Sequence, residues 1–566
     1  MPADMLVGRR LASAALRSAV DAAGGGAGGV VLLAGEAGMG KTALASVAVA
    51  YAKARGAAAV WGTCWEGDGA PGFWPWIQVM RALAADADGT GEAVLAGLTG
   101  VSAERGGGLG DESAIRFRTY DLAATYLRSR AAQRPLVVVL DDLHWADVSS
   151  LRLLVFLARQ LHDAAALVIG TYRDVEVTAG DHPARPLLAE LAGQAELIRL
   201  TGLAADEVGQ LIEKVCGEPP QAPLIQAVHD RTAGNPFFAQ QIARLLAAQG
   251  VPLDRAQVTG VPPVVGDVLA RRLARLPGKV VDLLAVASVV GRRFPIATVA
   301  AIAGVPAETA LPLLDSAVRA AVLEPDEPGH LRFSHDLFRE VVYDGLSAAR
   351  RPALHLSVAG RLEEHAGPAA TAAEIAYHRS MAWPLGDRDR AVAALVAAAH
   401  EATARTAFDE AAAHLRRAVD LVGGLAAVDL ATLCEYGDAL RRAGQGGDAR
   451  AALLGAAARA RAAGDAALFA RAAFGAHRVT TVTESSRSEV IALLEEALAA
   501  FERDGAADGD PARWLLSASL ARELADGPDR DLPRAVDFAR AAVDGARRTG
   551  EAGVLAYALF ALADVR

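Results

Sequence analysis

Apolar residues gather in short unbroken runs over residues 30–34, 58–61, 136–140, 167–171 and 197–200, with helical stretches between them. Unbroken runs predict strands buried on both faces, as in a parallel sheet covered by helices. Strands alternating with helices predict a doubly wound α/β sheet over residues 1–200. Two glycine-rich stretches, 24–29 and 106–110, read as loops, the second within a surface excursion over 84–112. After residue 200 the strand pattern fades. Residues 201–256 read as a small helical subdomain, with Thr201 or Asp206 as candidate caps. Residues 257–365 read as helices followed by a hairpin over 323–333, turning at 326–329, the order of a winged helix. From 366 to 566 the pattern is helical hairpins. Four Ala/Leu/Arg-rich helices, over 409–422, 448–463, 488–503 and 532–549, start roughly 40 residues apart, against a usual tetratricopeptide period of ~34. An irregular helical bundle is the plainer alternative. The pattern is still helical at 561–566, without a capping glycine, which reads as an incomplete repeat array.

Composition refines this picture. The 566 residues suit about three to five domains. With 52% hydrophobic and 22% charged residues, global disorder is excluded. Aromatics are only 5% and alanine is abundant, which favours close-packed helices. The net charge of −10 argues against a nucleic-acid-coating role for the chain as a whole. Cys64, Cys216 and Cys434 lie too far apart for metal spacing or a disulfide framework. Arg9, Arg10, Arg17 and Asp21 interrupt any N-terminal apolar segment, and no apolar run is long enough to span a bilayer. A cytoplasmic chain with no membrane partner is expected. Lysine occurs only four times, so Lys41 stands out.

The candidate chemistry begins at Gly35, Glu36, Ala37, Gly38, Met39, Gly40, Lys41 and Thr42, which fit G-x-x-x-x-G-K-[ST] in full between a strand and a helix. Glycines let backbone N–H groups wrap close to phosphates, and the helix N-terminus adds partial positive charge. Lys41 would bridge the β- and γ-phosphates and Thr42 would ligate Mg²⁺. The strand over 136–140 delivers Asp141 and Asp142 at its carboxyl end, where ligands of open α/β sheets sit. Asp141 would hold Mg²⁺, and Asp142 would orient or deprotonate the attacking water. Arg173 ends the next strand and would sense the γ-phosphate, with a surface salt bridge to Asp174 as the bland alternative.

These elements together resemble the STAND class of P-loop ATPases, relatives of AAA+ proteins, and most of all the large ATP-binding regulators of the LuxR family, MalT-like activators among them. Further stretches carry the likeness: Val7, Gly8 and Arg9, although Arg10 replaces the acid commonly found there; Gly62 to Gly67 with Pro71, Phe73, Trp74 and Trp76; Asp141 to Asp147; Ala233 to Phe238; and Arg332 to Asp336. The resemblance implies an α/β P-loop NTPase followed by a helical subdomain, a winged helix and TPR-like α-helical repeats. It implies that Arg9 lies near adenine, that Pro236 packs on adenine, and that His335 contacts an ADP phosphate and locks a closed state. Each has a plainer reading. Asn235 and Pro236 would simply initiate a helix, His335 would cap one near Asp336, Asp147 would cap the helix over 149–161, and Trp74 and Trp76 would anchor the sheet, with ligand binding as the alternative for that pair.

The function so implied is an ATP/ADP-dependent signalling switch that hydrolyses ATP slowly and self-associates when ATP-bound. An inducer or protein partner would act at the repeats. DNA would be reached only through a C-terminal module absent from this chain. The winged helix carries Arg271, Arg272, Arg275, Lys279, Arg292 and Arg293, a candidate DNA contact set against a role as an intramolecular latch. The alternative is a nucleotide-binding or degenerate helical-repeat scaffold without DNA output.

Overall fold

The computed structural model describes residues 6–65, 69–84, 90–100, 112–178, 182–249, 269–270, 272–364, 371–479, 484–503, 510–526 and 530–565. Glu66, Gly67, the glycine stretch 106–110, Arg271, residue 566 and the expected boundaries near 256 and 365 lie outside the described residues. The chain divides into two compact units: Met1–Leu95 with Leu122–Asp387, and Ala96–Asp121 with Arg388–Arg566.

The first unit is built on five parallel strands: β1 (Gly29–Ala34), β2 (Ala58–Thr63), β3 (Leu136–Asp141), β4 (Ala166–Tyr172) and β5 (Glu196–Arg199), in spatial order β2-β3-β4-β1-β5. Every residue of β3 and β4 is buried, as expected of unbroken apolar strands in the middle of a covered sheet. Val31, Leu33, Val137, Val139 and Ile169 pack with Leu44, Ala45 and Ala48 of the helix Lys41–Ala54. The order has a chemical consequence. β4 lies between the strand that feeds the glycine loop and the strand that delivers the two acids, so residues 171–173 emerge between them.

Three helices follow, Ala205–Cys216, Ala222–Thr232 and Pro236–Gln249, around Val208, Ile212, Leu224, Val228 and Ile242. Neither Thr201 nor Asp206 caps the first. It starts after Ala204, whose N–H donates to the Glu207 carboxylate at 2.9 Å. Half of a capping box thus suffices where the cap residue has no polar side chain.

The winged helix runs helix Gly278–Val290, β6 (Arg293–Pro295), helices Ile296–Ile302 and Ala307–Arg319, β7 (Leu323–Pro325) and β8 (His330–Phe333). Its antiparallel sheet has the order β6-β8-β7, so a third strand joins the expected hairpin. Phe294, Phe333 and Phe338 fill its core. Its basic residues are only partly engaged, since Arg275 and Lys279 are exposed. Arg272 is bonded to Gln241 and the Ala320 carbonyl, and Arg293 is paired with Asp326 and Glu327.

The second unit is a run of helical hairpins. Phe408–Val422, Gly446–Ala463, Glu484–Arg503 and Leu532–Thr549 are the four expected helices, and partner helices Leu430–Arg442, Ala466–His477, Pro511–Ala525 and Ala552–Asp564 follow them. Asp429, Asp465 and Asp510 each cap a partner helix by accepting a backbone N–H. Small side chains bring the helices close. Ala449, Ala452, Ala456 and Ala460 are buried along one helix, and Gly545 lies against the Trp514 ring. Among the described residues no single helix is long and apolar enough to cross a membrane.

Candidate functional site

The loop 35–40 links β1 to the helix Lys41–Ala54 through left-handed glycines, Gly38 at φ 81° and Gly40 at φ 91°. The helix has no side-chain cap and no acid in its first turn, so its N–H groups and positive dipole end are left for an anion. The Lys41 ammonium curls back over the loop and donates to the carbonyls of Gly35 at 2.7 Å and Glu36 at 2.8 Å. Burial lowers its pKa, and the nearby Arg173 adds to that effect. Ala37 completes the loop, Met39 is buried in the sheet core, and the Glu36 side chain points to solvent.

At the end of β3, Asp141 accepts from Thr42 Oγ1 at 3.1 Å and from Thr171 Oγ1 at 2.6 Å. Thr171 also accepts the Asp142 N–H at 2.9 Å. Thr171 was not singled out in the sequence; its signal is a polar residue closing an apolar strand next to the acid strand. The two carboxylates are buried side by side. Burial raises Asp141, and burial plus the charges of Asp141 and Asp336 push Asp142 up to about 8. Adjacent buried acids call for a cation. The Thr42 hydroxyl and Asp141 carboxylate are the hard oxygen donors Mg²⁺ takes beside phosphate oxygens, so these residues fit it. Among the described residues no group of three or more His, Cys, Asp or Glu that could hold a metal ion exists.

Three segments distant in sequence close on this centre. Arg9 donates to the Met39 carbonyl at 3.0 Å, which fixes it to the back of the loop. Asn235 Nδ2 donates to the Ala37 carbonyl at 2.8 Å, and Phe237 N–H to the Gly38 carbonyl at 3.3 Å. A Cβ on Gly38 would stand 2.8 Å from Asn235 Oδ1, so glycine is needed there for this approach as well as for its φ. Pro236, half-buried, opens the helix beside these contacts. His335 caps the helix Asp336–Asp344 through Nδ1, which accepts from Leu337 N–H at 3.2 Å, and its ring lies 3.9 Å from that of Phe237. Burial pushes its pKa down to about 4, so the imidazole is neutral.

Arg173 is buried and makes no surface bridge to Asp174. Its guanidinium meets Glu176 at 2.8 Å, Glu340 at 2.9 Å and Asp336 at 3.7 Å. Arg292 stands between Asp336 at 2.9 Å and Asp142 at 3.4 Å. The winged helix thus contributes two acids to the end of β4 and one arginine to the end of β3. Glu340 was missed in the sequence, since nothing local distinguishes it from any helix-surface acid. Asp147 does cap its helix, accepting from Ser150 N–H at 2.8 Å, and also takes the Phe73 N–H at 3.0 Å. His144 is buried, tilted against Trp145, and kept neutral by burial.

Residues 5–169 match the family model described as AAA ATPase domain. The chain is 27% identical over 353 residues to an uncharacterized protein of Rhizobium meliloti (strain 1021), an alignment that covers 57% of this chain and 31% of that protein. The chain thus spans about a third of that relative's length. Among solved structures, a signal transduction ATPase with numerous domains (STAND) and a tetratricopeptide repeat sensor, from Pyrococcus horikoshii, is 16% identical. It covers all of this chain and 80% of its own, with a TM-score of 0.44. The Walker-type ATPase of Pyrococcus abyssi is 11% identical over 60% of this chain and 97% of its own, with a TM-score of 0.30. At such scores these likenesses add nothing to what the sheet order and the glycine loop establish.

Proposed function

We propose that the chain is an ATP/ADP-dependent switch in which the winged helix is the latch. The observation that carries this is the double exchange of charge at the strand ends. Arg173 at the end of β4 takes Glu340 and Asp336, while Arg292 takes Asp142. The loop 35–40, Lys41 and Thr42 hold the phosphates. Mg²⁺, held by Thr42 and Asp141, offsets their negative charge. Arg9 and Pro236 flank the nucleotide's base end, and His335 completes the latch beside Phe237. Tied to Arg292, Asp142 is not free to orient the attacking water, so hydrolysis is slow, on the order of 10⁻³ s⁻¹. Nucleotide and inducer must each prefer the open form to shift the equilibrium. The helical hairpins receive the inducer or protein partner, the ATP form self-associates, and the output is LuxR-type transcription control through a DNA-binding module elsewhere in the parent protein.

Lys41→Ala, measured with a fluorescent ADP analogue, is expected to weaken binding at least 100-fold. Unchanged affinity overturns the reading. Arg292→Ala is expected to raise ATP turnover about tenfold and to shift the ATP form toward larger species in size-exclusion chromatography with light scattering. A chain that binds nucleotide but never turns it over, with or without Arg292, is the scaffold instead.

A further inference from the structure

A cavity of about 580 Å³ adjoins the Asp141–Asp142 edge within the first unit. It adjoins the phosphate cradle at Thr42 and Asp141 without including the glycine loop. Neither Lys41 nor any glycine of the loop lines it, and it meets the P-loop helix only from Thr42 onward. Its walls are aromatic. Four of the seven tryptophans of the chain face it, Trp61, Trp65, Trp74 and Trp145, together with Tyr343 and Tyr377. All six rings are partly exposed. The four indoles make no hydrogen bond among the described residues. Trp76 shows the contrast: it is wholly buried and its indole N–H is spent on the Ser150 carbonyl at 3.0 Å. Of the Trp74 and Trp76 pair, one anchors the sheet and the other is presented to the cavity.

The walls are held rigid. Asp147 pins the segment leading to Trp74 through the Phe73 N–H, and Gln78 ties the same helix to β2 at the Thr63 carbonyl, 2.9 Å away. In the elements that follow the nucleotide domain, Tyr343 OH meets His355 Nε2 at 3.0 Å, and His355 Nδ1 meets His378 Nδ1 at 2.8 Å. Rings fixed in advance lose little freedom on binding. The arginines that face the space are already matched. Arg292 is paired with Asp142 and Asp336, Arg293 with Asp326, and Arg332 with Glu324, while Arg339 donates to the Ser288 carbonyl. An anionic head group would have to break one of these pairs.

We infer that this cavity is a second ligand site, for a small, flat, uncharged aromatic molecule stacked between the tryptophan wall and the two tyrosines. The volume lies in the range of small-molecule pockets, ~300–1,000 Å³. The free indole N–H groups offer donors to a ring hydroxyl or carbonyl. The occupant touches the nucleotide domain and the winged helix at once, beside the metal edge.

The test titrates the full chain, with and without saturating Mg-ADP, by calorimetry. The probes share one ring: 2-naphthol, 2-naphthoate and a naphthyl trimethylammonium. 2-Naphthol is expected to bind tightest, with a Kd below about 1 mM, and to bind equally well when ADP is present. Trp74→Leu and Tyr377→Leu, one from the tryptophan wall and one from the tyrosines, should each weaken it about tenfold. Trp383→Leu, which lies outside the cavity, should not. Circular dichroism and ADP affinity check that each variant folds, and either wall suffices if the other variant fails. Absence of 2-naphthol binding, tighter binding of a charged probe, displacement by ADP, or indifference to both wall variants overturns the inference. Because ADP affinity is read separately, loss of probe binding with intact ADP binding breaks this inference alone.

Discussion

The strand-end site of the first unit and the outer faces of the helical hairpins treat charge in opposite ways. In the unit that holds the glycine loop and the winged helix, Lys41, Asp141 and Arg173 are each less than a tenth exposed, and each is held by named partners. In the helical unit, pairs such as Arg534–Glu495 and Arg461–Glu496 stay about half exposed, while alanines fill the interface between helices. Buried pairs are specific, since removing one member strands the other in a dry site. Exposed pairs are nearly interchangeable. Single substitutions are therefore expected to matter most in the first unit, whereas the second accumulates its stability from many small contacts.

The largest expected effect breaks the buried side of this contrast. Arg173→Met takes the arginine from Glu340 and Glu176 and leaves Asp336 with Arg292 alone. A fully buried pair would lose about 3–5 kcal/mol; these carboxylates keep some solvent, so about 2–3 kcal/mol is expected in urea unfolding, with lost exchange protection over Asp336–Asp344. Next, Gly545→Ala tests close packing in the other unit. Its Cβ would stand 2.1 Å from the Trp514 ring. Overpacking costs about 1–3 kcal/mol and outweighs the ~1 kcal/mol of helix propensity gained, so the midpoint should fall rather than rise. A third test uses pH. Burial lowers His335 and His355 to about 4, so both stay neutral in the folded chain through pH 6.5. The unfolded chain takes up these protons below about 6.5, so each histidine subtracts up to ~1.4 kcal/mol of stability per pH unit from there down to about 4. Imidazole NMR should show neither ring titrating between pH 8 and 5; a midpoint near 6.5 would mean the sites are wet. The smallest effect sharpens the exposed side. Arg534→Ala should cost no more than about 0.5 kcal/mol, within the error of thermal melts.

What was legible in the sequence was what is local. The P-loop strand, glycine loop and helix are contiguous, and the acid strand is an unbroken apolar run, so both could be read directly. The Asp147 cap and the four helix starts of the repeats follow from spacing of three or four residues. Contacts made across the chain were not legible. Arg292 reaches Asp142 across 150 positions, and Arg173 reaches Glu340 across 167. Read locally, Arg292 belonged to a basic run and Arg173 to a salt bridge with its neighbour. β6 was missed because Arg293, Phe294 and Pro295 make no apolar run and become a strand only by pairing with β8. The capping expectation failed at Thr201 and Asp206 because the work is done from inside the helix by Glu207.

The distance along the chain between Arg173 and Glu340 also sets a schedule. A ribosome adds about 5–20 residues per second, so the 167 positions between them take on the order of 8–33 s to synthesise. For that interval the nascent sheet has its glycine loop, Lys41 and both acids, but no latch to cover them. If the winged helix is the latch proposed above, nucleotide could enter the newborn domain during this time, before the winged helix is made. On that reading, the first occupant would be set by the cell's nucleotide pool at the moment of translation.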